Sequence, residues 1–170
     1  MIISVPDSNL ELREMTESEY SIYVEQVISA DEVFDQYGLE PTGWLMDAIS
    51  EMNPCVIYYT ILDKKLDQMV GYIGITPENN NIEYYVFKEF RNRGIGTMAA
   101  KSFCGAYIDG RITGEPMDEV FAETLYENAA SRKLLEKAGF LKTALGIGWD
   151  TVSHSGIDLA AYVFNDEGAA

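Results

Sequence analysis

The sequence predicts a single α/β domain, of the α+β kind, with a mixed, mostly antiparallel central sheet and helices on both faces. Three observations predict it. The 170 residues suit one domain with a sizeable core. Their middle third is β-rich, with short polar turns that fit an antiparallel meander. From Gly94 onward, helical and strand-like stretches alternate and close on a final strand pair. No internal repeat, low-complexity run or linker divides residues 1–170, and residues 165–170 read as a frayed tail.

The elements follow in order. Leu10–Met15 alternates and reads as a first strand. Thr16-Glu17-Ser18-Glu19 fits a capping box, in which each end residue can bond the other's amide. The helix it opens extends to about Ile28, with Tyr20, Val24, Val27 and Ile28 on one face. Pro41 and Thr42 can start a second helix carrying Trp44, Leu45, Ala48, Ile49 and Met52. Cys55–Leu62, Met69–Thr76 and Ile82–Phe87 are β-branched and aromatic, and polar turns separate them. A helix follows from Gly94 to about Ile108, then a short strand at Val120–Ala122. A last helix spans Asn128–Ala138 and stops at Gly139. Leu141–Leu145 and Ile157–Phe164 form the closing strands.

Charge and composition narrow the function. Twenty-eight acidic residues against twelve basic ones give a net charge of −16, which argues against nucleic acid or an anionic membrane as partner. It suits a cationic acceptor such as an amine. No apolar run reaches the roughly 20 residues that span a bilayer, and Met1–Asp7 lacks the pattern of a secretory signal. Cys55 and Cys104 sit far apart with no clustered histidine, so no metal site is expected. Both cysteines read as small buried hydrophobes in a reducing cytoplasm.

The most informative stretch is Arg91-Asn92-Arg93-Gly94-Ile95-Gly96-Thr97, between a strand and a helix. Amides at a helix N-terminus point outward unpaired, with the positive end of the macrodipole behind them. A pyrophosphate fits there, and Gly94 and Gly96 let it come close to the backbone. Arg91 and Arg93 add positive charge at that point in an otherwise acidic chain. Gly94-x-Gly96-x-x-Ala99 also satisfies a dinucleotide fingerprint. That rival wants a parallel strand before the loop and an acidic residue at the end of the next strand. Here a meander precedes the loop, and Glu119 lies before the next strand.

At these residues the sequence resembles the GNAT superfamily of N-acetyltransferases, whose motif Arg/Gln-x-x-Gly-x-Gly/Ala opens a helix after a strand. Arg91-Asn92-Arg93-Gly94-Ile95-Gly96 matches it. A second stretch, from Glu127-Asn128-Ala129-Ala130-Ser131 to Glu136-Lys137-Ala138-Gly139-Phe140, is similar to the family's Asn-x-x-Ser…Glu-Lys-x-Gly-Phe helix. That helix looks most like the branch acting on N-terminal amines of ribosomal proteins.

The resemblance implies an acetyl-CoA-dependent transfer to a primary amine, without a metal. Main chain near Val86 and Phe87 would hold the thioester carbonyl and pantetheine arm, and the loop Arg91–Thr97 the pyrophosphate. An alkyl amine is mostly protonated at neutral pH, so a base is useful. Glu83 is the candidate. Many relatives assist the leaving thiolate with a tyrosine on the later helix, but Leu135 occupies that position here. Ser131 becomes the candidate in its place, with Tyr126 behind it, and Asn128 would bond the pantetheine amide while capping its helix. Trp44 and Tyr84 are candidates for the acceptor wall. The acidic cluster Asp31, Glu32 and Asp35 and the single histidine, His154, read as surface. The missing tyrosine leaves open a non-catalytic acyl-CoA-binding module or sensor. A monomer and a homodimer are equally compatible with the sequence.

Overall fold

The computed structural model describes residues 1–29, 49–150 and 155–165. Their order is β1 (Ile2–Ser4), β2 (Leu10–Glu14), α1 (Glu17–Ser29), β3 (Ile57–Asp63), β4 (Gln68–Thr76) and β5 (Asn81–Val86). A 3₁₀ turn, Lys88–Phe90, leads to α2 (Ile95–Ile108), β6 (Glu119–Leu125), α3 (Ala129–Ala138), β7 (Leu141–Asp150) and β8 (Ser155–Asn165). All eight strands join one sheet, in the order β1-β2-β3-β4-β5-β6-β8-β7. Six of its junctions are antiparallel, and only β5–β6 is parallel. The meander expected between residues 55 and 87 is β3-β4-β5. β1 was not expected: three residues are too few to show a period, and the strand exists because it pairs with β2.

The capping box forms as read. The Glu19 amide donates to Thr16 Oγ1 (3.3 Å), and the Thr16 amide donates to the Glu19 carboxylate (3.0 Å). That carboxylate also accepts from Arg13 (2.6 Å) and from the Thr60 hydroxyl (3.0 Å), tying α1 to β2 and β3. Strand alternation then sends neighbouring tyrosines to opposite faces. Tyr58 packs on Tyr20 of α1, with ring centroids 5.4 Å apart, while Tyr59 packs on Phe103 of α2, also at 5.4 Å. Helices thus cover both faces: α1 lies over the Tyr58 side, and α2 with α3 over the Tyr59 side.

One expectation changes. Cys104 is buried in α2, but Cys55 is exposed, because it sits in the turn before β3 rather than in the strand. The helix expected from Pro41 lies outside the described residues apart from its end. There Ile49 is buried and its carbonyl accepts from the Tyr20 hydroxyl at 3.0 Å. Trp44, Asp31, Glu32, Asp35 and His154 lie outside the described residues, as does everything after Asn165.

Candidate active site

β5 is bordered differently on its two edges. Against β4 it pairs along its whole length, from Thr76↔Asn81 to Gly71↔Val86. Against β6 it makes one pair, Asn81↔Phe121, anchored by the Phe121 amide on the Asn80 carbonyl (2.8 Å). β6 itself is fully paired on its far side with β8. The two parallel strands therefore start together and then part, leaving a wedge that opens towards Val86.

Ladder alternation decides which backbone groups face that wedge. The Phe87 amide donates to the Val70 carbonyl (2.9 Å), so Phe87 and Tyr85 are turned to β4. Tyr84 and Val86 are turned to the gap. Of Val86 and Phe87, whose main chain was expected to hold an acyl arm, Phe87 gives its amide to the ladder and its side chain to the core. The Val86 carbonyl already accepts from Arg91 Nε (2.9 Å). What the strand offers the gap is the Val86 amide and the main chain of Tyr84.

The loop delivers a helix start to the mouth of the wedge. Asn92 (φ 61°) and Gly94 (φ 75°) take left-handed conformations, and Gly94 caps α2, its carbonyl accepting from the Met98 amide at 3.0 Å. The amides of Ile95, Gly96 and Thr97 fall in the first turn, where an α-helix supplies no acceptor. The two glycines have different reasons. At Gly94 a Cβ would meet only Met98 Cε, at 4.0 Å, so the space is open and the positive φ selects glycine. At Gly96 a Cβ would lie 2.4 Å from Leu134 Cδ1, so this glycine lets α2 and α3 pack together. Of the two, only Gly94 leaves open space beside the backbone. The arginines brace the loop: Arg93 donates to the Glu89 carbonyl (3.0 Å) and lies over the Phe90 ring, while Arg91 lies over Tyr85. Their charge stays at the cradle, and a phosphate group fits this open, cationic helix start.

Glu83 and Tyr84, adjacent on β5, occupy opposite faces. Glu83 lies on the α1 side, where Tyr72 donates to its Oε1 (3.1 Å). Burial pushes its carboxyl above the usual range, and the phenols of Tyr72 and Tyr58 offset part of that rise. Tyr84 lies on the α2–α3 side, its hydroxyl 2.5 Å from Ser131 Oγ. Burial pushes the Tyr84 phenol up to about 12. Ser131 is in the first turn of α3, and its amide donates to Asn128 Oδ1 (3.0 Å), the expected cap. The Asn128 side-chain oxygen thus serves the helix, and its nitrogen remains a donor for a ligand.

The other sequence candidates fall elsewhere. Leu135 is fully buried in the core. Tyr126 is 40% exposed, and its ring is held by Arg132 (4.6 Å) and Lys142 (5.7 Å) beside the β7–β8 hairpin. It is Tyr84, read from sequence as acceptor wall, that meets Ser131. The signal was present in the alternation of β5, but no sequence pattern says which helix lies over which face. Among the described residues, no group of ligating side chains could hold a metal ion.

A helix start open to an anion thus stands at the mouth of a parted α/β sheet. The family model of the acetyltransferase (GNAT) domain matches residues 9–141. The chain therefore belongs to the GNAT family, an acetyl-CoA-dependent class of acetyltransferases. No curated protein sequence matches it. Solved structures share the fold at low identity. One is the Salmonella typhimurium acetyltransferase that modifies the N-terminal serine of ribosomal protein L7/L12 (17% identity, TM-score 0.74, 97% of this chain and 99% of that one). Another is the ribosomal-protein-S5-alanine acetyltransferase of Vibrio fischeri (11%, TM-score 0.74, 98% and 97%). A third is the microcin C7 self-immunity acetyltransferase, solved with acetyl-CoA and AMP (14%, TM-score 0.68, 95% and 94%).

Proposed function

We propose that the chain is an N-acetyltransferase that moves the acetyl group of acetyl-CoA to a primary amine. The observation that carries this reading is the division of chemistry across β5: a buried carboxylate on one face, a hydroxyl pair on the other, and a gap in the sheet between β5 and β6. Acetyl-CoA supplies an activated thioester. The first-turn amides at Ile95, Gly96 and Thr97, with Arg91, Asn92, Arg93 and Gly94 around them, bind its pyrophosphate. The Val86 amide and the Tyr84 main chain orient the arm in the gap, and Asn128 donates to one of its amides.

The acceptor then arrives from the α1 face. Glu83 takes the proton that the attacking nitrogen gives up, directly or through a water. Its raised pKa suits this work, because a stronger base accepts that proton more readily at neutral pH. Ser131 donates a hydrogen bond to the sulfur as the carbon–sulfur bond breaks. The acidic chain favours a cationic acceptor, and the L7/L12 enzyme among the similar structures, which modifies an N-terminal serine, makes a protein N-terminus the first class to test. Two unpaired cysteines are in keeping with a cytoplasmic enzyme.

The buried Leu135 favours a second reading, a silent acyl-CoA-binding module. One assay separates the two: CoA release from acetyl-CoA, with and without N-terminal peptides, polyamines or aminoglycosides. Amine-dependent release that Glu83→Gln slows is expected. Tight binding of acetyl-CoA with no release by any of these amines would favour the silent module.

A further inference from the structure

The contact between Tyr84 and Ser131 is a short hydroxyl–hydroxyl bond joining β5 to α3 across the wedge. Each side of it is fixed by other structure. Ser131 is locked in the first turn by its amide bond to Asn128. Tyr84 is fixed by the β4–β5 ladder, where it pairs with Ile73. A phenol is a stronger acid than an aliphatic hydroxyl, which favours Tyr84 as the donor and Ser131 Oγ as the acceptor. The Ser131 proton is then free to point elsewhere, and accepting from Tyr84 makes it a stronger donor.

We infer that Tyr84 is a positioning residue for the leaving group: it aims and polarises Ser131, whose hydroxyl then hydrogen-bonds the sulfur of CoA. This rests on the acetyltransferase reading above and assigns the leaving-group side to a tyrosine on the strand. The helix offers Leu135, one turn past Ser131, where it has no hydrogen to give. Tyr84 keeps its own proton throughout. Burial holds its phenol well above a thiol, so it hydrogen-bonds without ionising. When the carbon–sulfur bond breaks, the electron pair stays on sulfur, Ser131 hydrogen-bonds the thiolate, and the thiolate takes its proton from water on release.

The pair acts on a thiolate, so the test needs no acceptor. CoA labelled with ¹³C next to its sulfur is bound to the protein, and the thiol is titrated by its chemical shift. The wild type is expected to lower the bound thiol by about one to two pH units, the effect of one hydrogen bond to a charged sulfur. Tyr84→Phe, which keeps the ring, should bind CoA with affinity within about threefold and return most of that shift. Ser131→Ala should return all of it. An unshifted thiol in wild-type complex, or a shift that survives in Tyr84→Phe, overturns the inference while leaving the CoA site intact. Failure of the wild type to bind CoA at all would instead overturn the reading on which it rests.

Discussion

The two edges of β5 show how one strand can be frame and site at once. On the β4 edge every residue from Asn81 to Val86 has a partner, and the strands press so close that a Cβ on Gly71 would lie 2.2 Å from the Tyr85 carbonyl. On the β6 edge a single pair closes the apex, and Tyr84 and Val86 turn their main chain to a gap. The closed edge fixes the direction of every side chain on the strand. The open edge lets a ligand reach between two of them that point opposite ways. Substitutions at the closed edge should therefore cost stability, and those at the open edge should cost binding or turnover.

The largest effect is expected at the mouth of the wedge. Gly94→Glu places a negative side chain, at a backbone conformation that disfavours it, where phosphate would sit. CoA binding should fall below detection by calorimetry while the variant stays folded. Unchanged affinity in a folded variant would break the assignment of this loop. Next come the two faces of β5. Glu83→Gln and Ser131→Ala should each bind acetyl-CoA normally and lower kcat by about 10²-fold. The acid limb of the wild-type rate profile should lie above the ordinary carboxylate range and vanish in Glu83→Gln. A limb that persists would take the base role from Glu83.

At the closed edge, Gly71→Ala should destabilise the fold by about 3 kcal/mol, because the obstacle is a backbone carbonyl that cannot swing away. Urea unfolding measures it, and a cost below about 0.5 kcal/mol would show that the strands can part. The smallest expected effect concerns Glu83 again. Its folded pKa is raised above the unfolded value, so the stability tied to its proton is present below the unfolded pKa and is lost as pH rises through the folded pKa. Glu83→Gln should thus be more stable than the wild type at pH 8, with the advantage shrinking towards pH 4. An advantage that does not depend on pH would mean that the carboxylate is solvated after all.

Much of this was legible in the sequence because it depends on local rules. The capping box at Thr16–Glu19, the meander, the start of α2 at Gly94 and the Asn128 cap are set by residues within a few positions of one another. The composition of Gly94 could be read, and so could the alternation that separates Glu83 from Tyr84. What could not be read depends on tertiary placement. The wedge exists because β5 and β6 pair only at Asn81 and Phe121 and then part, and no segment of sequence encodes that divergence alone. Gly96 looked like a glycine chosen for close approach of an anion because the reason for it, Leu134, lies on another helix. Phe87 was assigned to the ligand because the ladder's alternation is fixed by register with β4. The partner of Tyr84 could not be read because only the packing of α3 brings Ser131 to it.

The central claim is that the cradle and wedge hold CoA, and a thermal-shift titration tests it most directly. A ligand that binds only the native state raises Tm with concentration. With acetyl-CoA and CoA, the account predicts a concentration-dependent rise in the wild type and none in Gly94→Glu, with NAD and NADP leaving both unmoved. A flat response to acetyl-CoA, or stabilisation by NAD in its place, would contradict it.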